Sequence, residues 1–381
     1  MKNIQYFTNK INKHIIDGSE VSRVAEVLHT GFLSKPDGGP VVTEFQNKMS
    51  QKLDMRYVFA VTSGTAALHS AVVALELRPG DEVIVPALAN IADCSVVLQE
   101  GAKPIFVDVD PRDFNIEPSA IEAKITKSTK AIIIVHMYGQ PAKISQIQTI
   151  AERHGLVVIE DCAQAAGARY RGKYVGSFGD ISCFSLYQTK HIVAGEGGVV
   201  ATNNKKFAEI ITSIANNGIM KSDLDAYDYD RVGFNYQMTE PQAALALTQL
   251  EKLDHNNRER RNNADLYTSI FANYDIQFQE VNEGTENAYF YLTGLLPKPL
   301  ESKRDEFLSR VKGLGVPIKK LYPLALTETT LMKRRVPQDC TIAQGLTKRL
   351  FNVYVNPGLE AEDIRFMAGV VEQCYKELGR A

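Results

Sequence analysis

The chain predicts an α/β fold, a large and mostly parallel sheet followed by a smaller α+β unit. Three observations carry that expectation. Short unbroken runs of branched aliphatic residues recur between segments of helical period: EVIVP at 82–86, KPIFV at 103–107, AIIIVH at 131–136 and LVVIED at 156–161. Strands that are apolar throughout, not alternating, are buried on both faces, as in a parallel sheet with helical crossovers. The 381 residues exceed what one small core organises, which favours a large and a smaller unit. The pattern then changes late in the chain. Strands are expected at 276–280, 289–295 and 316–319 and helices at 303–314 and 361–378, as in an antiparallel α+β unit. The boundary is placed near Leu250, giving a large unit over 1–250 and a small one over 251–381.

In chain order, the spacing of Ile11, Ile15, Val21, Val24 and Val27 predicts one amphipathic helix over 10–30. FLSKPDGGP at 32–40 is a turn-rich loop, and helical period resumes over 41–53. A strand at 57–61 runs into SGTAAL, which opens an Ala-rich helix reaching about residue 77. Ser63 and Thr65 fit plain helix caps, and they equally fit an anion site, because free N–H groups point outward at a helix start. Helices are expected at 90–98 and 144–154, and a hairpin over 169–177 with Gly172 in its turn. The polar, tyrosine-containing stretch 222–236 is long for a loop without structure, which favours a functional role. Helices follow over 205–216 and 240–265.

With 44% hydrophobic and 23% charged residues the chain is of ordinary globular type, and a formal net charge of −2 argues against a nucleic-acid or membrane-surface protein. No run of 18 apolar residues offers a membrane span, and the first residues lack a signal peptide's apolar segment. Five scattered cysteines without a CxxC pair fit free thiols in a reducing cytoplasm, and seven histidines show no metal-type spacing.

The chemistry centres on CFSLYQTKHIVAGEGGVV, residues 183–200. An apolar strand runs into a polar turn carrying Lys190, and a Gly-Glu-Gly-Gly turn re-enters a strand at 199–202. A lysine beside such a turn is commonly solvated. If desolvated it loses proton affinity and becomes an amine nucleophile able to form a Schiff base with a carbonyl, including that of pyridoxal phosphate (PLP). Functional groups in a parallel sheet gather at the carboxyl ends of strands, where Pro86, His136, Asp161 and Lys190 all fall. Asp161 fits a cap or an ion pair. As a carboxylate it would also keep a pyridine nitrogen protonated, which makes PLP an electron sink. No GxGxxG follows the first strand, which counts against a dinucleotide-binding dehydrogenase.

Seven stretches in register resemble the DegT/DnrJ/EryC1/StrS family of sugar aminotransferases: SGTAAL (63–68), GDEVIVP (80–86), HMYG (136–139), IEDCAQAAGA (159–168), GSFGDISCFS (176–185), the lysine stretch, and FNYQMTEPQAA (234–244). The resemblance implies the aspartate aminotransferase-like fold of fold type I PLP enzymes. It implies that Lys190 is the Schiff-base lysine and acid/base, Asp161 the pyridine-nitrogen partner, and Gln164 the side chain near the ring hydroxyl. Gly64, Thr65 and Ser185 would hold the phosphate, and Asn235 would reach the phosphate of a neighbouring subunit in a homodimer. L-Glutamate as amino donor and a keto-sugar, nucleotide-linked and aminated at carbon 3 or 4, as acceptor follow by the same analogy. A keto-cyclitol of the scyllo-inosose type is the alternative acceptor, and a regulatory, non-catalytic role the alternative function.

The sequence departs from the family pattern at three places. The ring-stacking aromatic position falls on Asn90, Gln237 stands where arginine is usual, and the histidine common around Tyr322–Ala325 is missing. One branch of the family carries histidine for the lysine and removes a hydroxyl. Counting back from the 195–198 turn puts the reactive position on Lys190, not His191.

Overall fold

A computed structural model describes residues 2–13, 16–35, 38–220 and 228–380. Its main sheet has seven strands: β1 (Tyr57–Val61), β2 (Glu82–Pro86), β3 (Lys103–Val107), β4 (Thr129–Val135), β5 (Val157–Asp161), β6 (Ile181–Ser185) and β7 (Gly198–Thr202), in the order β1-β7-β6-β5-β4-β2-β3. β2 through β6 pair in parallel, whereas β7 runs antiparallel to both β1 and β6. The sheet is therefore mostly parallel, as the unbroken aliphatic runs predict. Ile84, Ile132, Ile133, Ile134 and Val199 are fully enclosed because helices cover both faces.

The expected helix over 10–30 is two helices, α1 (Ile4–Lys13) and α2 (Gly18–Thr30), with residues 14 and 15 outside the described set. Asp17 ends the continuity. Its side chain accepts from Ser19 N–H while Glu20 reaches back to the Asp17 N–H, and this capping box starts a new helix where periodicity alone suggested one. α3 (Pro40–Leu53) and α4 (Gly64–Ala74) follow, the latter ending three residues short of expectation. α5 (Ala92–Gln99), α6 (Ile144–His154) and α7 (Lys205–Ala215) complete the crossovers. The hairpin pairs Arg169–Tyr170 with Lys173–Tyr174 around Gly172, which takes a left-handed conformation at φ 79°.

α8 (Glu240–Ile270) runs five residues past its expected end as one 31-residue helix. Beyond it, β8 (Gln277–Phe278), β9 (Leu292–Leu295), β10 (Ile318–Lys319) and β11 (Leu350–Val353) form an antiparallel sheet in the order β8-β9-β11-β10. α9 (Arg304–Gly313) and α10 (Ala361–Arg380) cover it. Phe7 and Ile11 of α1 share the apolar cluster of these late elements with Phe307, Phe351 and Met367. Of the loop expected over 222–236, residues 222–227 lie outside the described set. Asp228–Tyr229 pairs with Ile219–Met220 as a short ribbon.

Among the described residues no helix is long and apolar enough to cross a membrane. All five cysteines are free and buried. His136, Glu160 and Cys162 lie close together, but the carboxylate and imidazole are already committed. Glu160 accepts N–H groups of Gly176, Phe178 and Gly179 and pairs with His136 Nε2 at 3.0 Å, and His136 Nδ1 accepts from Ala142 N–H. Burial pushes the Glu160 carboxyl up, but His136 and these N–H groups outweigh it and hold the group below its ordinary range.

Candidate active site

Register brings the chemistry together. Val135 pairs with Asp161, Asp161 with Cys183, and Ser185 with Gly198, so the carboxyl ends of β4, β5 and β6 lie side by side next to the start of β7. Val61, at the end of β1, pairs with Gly198 as well. A cavity of about 440 Å³ opens on this edge. Ser63, Gly64, Thr65, Asp161, Gln164, Ser185 and Lys190 all line it. The C-terminal part closes it with Phe290, Tyr291, Lys319 and Tyr322.

At one end, Ser63 caps α4 by accepting from Ala66 N–H at 3.0 Å. Gly64 and Thr65 stand in the first turn, whose N–H groups precede the helix's own ladder and face the cavity. The two readings open in the sequence are thus compatible: Ser63 is the cap, and the turn after it is free for an anion. A Cβ on Gly64 would stand 2.7 Å from Ser185 Cβ, so only glycine lets the helix start and the strand end approach this closely.

At the other end Asp161 is 4% exposed and accepts from Ala163 N–H at 2.8 Å through Oδ1. Burial raises its carboxyl above the ordinary range, against the opposing pull of that N–H and of Lys190. Between the two ends lies Gln164. Its Oε1 accepts from Tyr138 N–H at 3.1 Å, and its Nε2 donates to the Tyr322 phenol at 3.0 Å.

Lys190 sits in the turn after β6, held by its N–H donating to Tyr187 C=O at 2.8 Å. Its Nζ lies 4.5 Å from the centroid of the Phe290 ring. The side chain is partly accessible through the cavity yet walled by protein elsewhere. Desolvation lowers its pKa to about 8, against the opposing pull of the neighbouring Asp161. About a tenth of it is then the neutral amine at pH 7. The adjacent His191 points away from the cavity. It is 4% exposed, Nε2 meets Ala288 C=O at 3.1 Å, and burial keeps the ring far below its ordinary pKa and hence neutral.

Asn235 does not join this cavity. It is exposed, on a segment fixed by Phe234 and Tyr236, whose rings stack at 5.0 Å. His69 clamps the segment, with Nδ1 2.9 Å from the Tyr236 hydroxyl and Nε2 2.9 Å from Glu100. Gln237, in the usual arginine position, donates to Asn216 at 2.6 Å. Asn90, in the usual aromatic position, lines the cavity and lies 3.4 Å from the Tyr322 hydroxyl.

Sequence reasoning missed Tyr322, Phe290 and Asp93. The first two come from the C-terminal part, 100 residues or more from Lys190, and no local spacing ties them to it. Asp93 reads in sequence as an ordinary acidic residue in a helix's first turn.

The residues present fit PLP on three counts: an amine of lowered pKa, a buried carboxyl at one end, and a helix start at the other brought against Ser185 by a glycine that tolerates no side chain. The fold and site define a fold type I PLP enzyme. The model for the DegT/DnrJ/EryC1/StrS aminotransferase family matches residues 14–372. The chain belongs to that family, and amino-group transfer with PLP is its chemistry.

Relatives include the GDP-perosamine synthase of Escherichia coli O157:H7, 35% identical over 95% of this chain and 97% of that protein. The UDP-N-acetyl-3-dehydro-alpha-D-glucosamine 3-aminotransferase of Acidithiobacillus ferrooxidans is 37% identical over 82% of each chain. A pleiotropic regulatory protein of Geobacillus stearothermophilus is 39% identical over 82% of this chain and 84% of its own. Helicobacter pylori PseC, an aminotransferase involved in pseudoaminic acid biosynthesis, superposes with a TM-score of 0.90, covering 95% and 97% of the two chains at 23% identity.

Proposed function

We propose that this protein moves the amino group of L-glutamate to a nucleotide-linked keto-sugar, with Lys190 as the anchor of PLP and the proton carrier. The observation that carries the reading is Lys190 itself, an amine whose pKa burial lowers to about 8, lining one cavity with the buried carboxyl of Asp161 and the first turn of α4. Two of the relatives above are named for a GDP-linked sugar and for a UDP-linked keto-sugar, which supports a nucleotide-linked acceptor.

When bound, PLP carries the amino group between donor and acceptor and draws electrons from the reacting carbon. The chain's residues do the rest. Lys190, once its amine is released, accepts the proton from the donor's α-carbon and later returns one at the acceptor carbon; a pKa near the working pH suits both directions. Asp161 holds positive charge at the ring nitrogen. Gln164, oriented by Tyr138 and Tyr322, faces the ring hydroxyl. Gly64, Thr65 and Ser185 receive the phosphate at the positive end of α4. Phe290 keeps water from Lys190 and so keeps its pKa low. Tyr322 would help wall the cofactor's pocket where Asn90 offers no aromatic side chain.

Asn235, exposed and rigidly presented, completes the phosphate site of a second copy, so the working form is a homodimer. In this reading residues 1–250 carry the cofactor, residues 251–381 close the sugar side, and five buried free thiols suit the cytoplasm.

The test is Lys190→Ala with a panel of nucleotide keto-sugars and scyllo-inosose. We expect turnover with a nucleotide keto-sugar in the wild type and a loss of at least about 10²–10⁴-fold in the variant. Full activity in the variant would refute the assignment, and turnover of the cyclitol alone would move the acceptor to that class. The regulatory relative favours a second reading, a protein that keeps the fold but not the chemistry. A wild type that gains no visible absorbance on adding PLP would establish it.

A further inference from the structure

Asp93 is a carboxyl with no evident work in a cap or an ion pair. It stands in the first turn of α5, 0% exposed, and neither side-chain oxygen has a hydrogen-bond partner among the described residues. Its N–H donates to Asn90 C=O at 3.1 Å, which fixes the turn but satisfies nothing on the side chain. The polar group it faces is Asp161. Asp161 lines the cavity and Asp93 does not, so Asp93 stands behind it. Two enclosed carboxyls this close do not both ionise, and a lone buried carboxylate without a donor is costly. The arrangement that satisfies both is one proton between them.

We infer that Asp93 is a positioning residue for the cofactor's ring nitrogen: it stays a neutral acid behind Asp161 and donates a hydrogen bond to that carboxylate. This rests on the reading of Asp161 given above. The donated hydrogen bond makes Asp161 a weaker base, so the ring nitrogen keeps its proton instead of surrendering it to Asp161. Asp93 keeps its own proton throughout. The titration tendencies agree. Burial, then the charge of Asp161, push the Asp93 carboxyl well above its ordinary range, while the bond from Asp93 pulls Asp161 downward. The other ionisable groups that interact with the pair are Lys190, the Tyr322 phenol, Cys94, Cys162 and Cys183, and the influence of His136 reaches Asp161. Lys190 is the cation whose charge reaches Asp93.

Two measurements on the full chain test this. Infrared difference spectra of the cofactor-free protein, wild type against Asp93→Asn, should show the carbonyl stretch of a protonated carboxylic acid at neutral pH in the wild type and its loss in the variant. Nitrogen NMR with ¹⁵N-labelled PLP should show a protonated ring nitrogen in the wild type. Asp93→Ala should move that signal toward the neutral form and lower kcat about tenfold with KM for the keto-sugar little changed. Asp93→Asn, which keeps a donor facing Asp161, should restore the protonated signal. No acid band in the wild type, or an Asp93→Ala signal identical to the wild type, overturns the inference. So does an Asp93→Asn protein that behaves like Asp93→Ala, since the charge and not the donor would then be what matters. A wild type that binds no PLP would instead remove the reading of Asp161, and the infrared band would still report the state of Asp93.

Discussion

The amide of Gln164 donates to the phenol of Tyr322 at 3.0 Å, joining the sheet edge that carries Asp161 to the segment that follows β10. Asn90 reaches the same hydroxyl at 3.4 Å. Removing that hydroxyl should therefore loosen the closure without unfolding the chain. Tyr322→Phe is expected to weaken PLP binding by about fivefold, about 1 kcal/mol for one lost hydrogen bond. Spectrophotometric titration of the cofactor-free protein with PLP measures it; an unchanged affinity would show that the phenol only fills space.

The lowered pKa of Lys190 sets a pH dependence. The neutral amine is the reactive form, so the rate of PLP capture by the cofactor-free protein should rise with pH and level off above about 8. The linked effect on stability has the opposite origin. The folded chain holds this proton less tightly than the unfolded chain does. Lys190 therefore costs stability below pH 8, and the cost fades as pH rises toward the unfolded value near 10.4. Lys190→Met should raise the neutral-pH stability of the cofactor-free protein by about 1–3 kcal/mol. Denaturant melts at pH 7 and at pH 10 decide it, since the gain should shrink at the higher pH.

Gly64 marks the close approach of α4 to β6. A methyl there meets Ser185 Cβ at 2.7 Å, which forces the helix start off the strand end. Gly64→Ala is expected to weaken binding of PLP more than of pyridoxal, which lacks the phosphate, by tenfold or more at about 1.4 kcal/mol per decade. Equal losses for both ligands would place the phosphate elsewhere.

Glu160 fixes the loop after β5 from beneath the site. Its carboxylate satisfies three N–H groups and His136; His136 and Gly176 are enclosed, and Phe178 and Gly179 are half-buried. Glu160→Ala leaves the enclosed donors without a partner and should cost about 3–5 kcal/mol. Because the folded pKa of Glu160 is depressed, its stabilisation is present above the unfolded value near 4.3 and is lost as pH falls below it. Thermal melts of wild type and variant should converge in acid. A constant gap from pH 7 to pH 3 would contradict an ionised Glu160.

What the sequence disclosed follows from where its information lies. Strands buried on both faces write themselves as unbroken Val/Ile runs, so β2 to β5 were legible within a residue or two. Lys190 and Asp161 drew attention by their place at or just past strand ends, and Gln164, Ser185 and Gly64 only through the resemblance of the motifs that hold them; all five line one cavity. The break between α1 and α2 was not visible in apolar spacing, because a capping box at Asp17 overrode a period that continued through it. β11 was missed because Leu350–Val353 follows directly on a helix that ends at Arg349, with no Gly or Pro to mark the change. Phe290, Tyr322 and Asp93 act through tertiary placement alone. The hydroxyl of Tyr322 gains its role only when Gln164 and Asn90 are folded against it, and Asp93 matters only because β5 puts Asp161 before it.

The central claim is that Lys190 is the side chain to which the cofactor is anchored. Borohydride reduction of the PLP-loaded protein followed by peptide mass mapping reads that attachment directly. The account predicts a single pyridoxyl mass increment on the peptide containing Lys190 and none in Lys190→Ala; an increment on another lysine, or on no peptide at all, would contradict it.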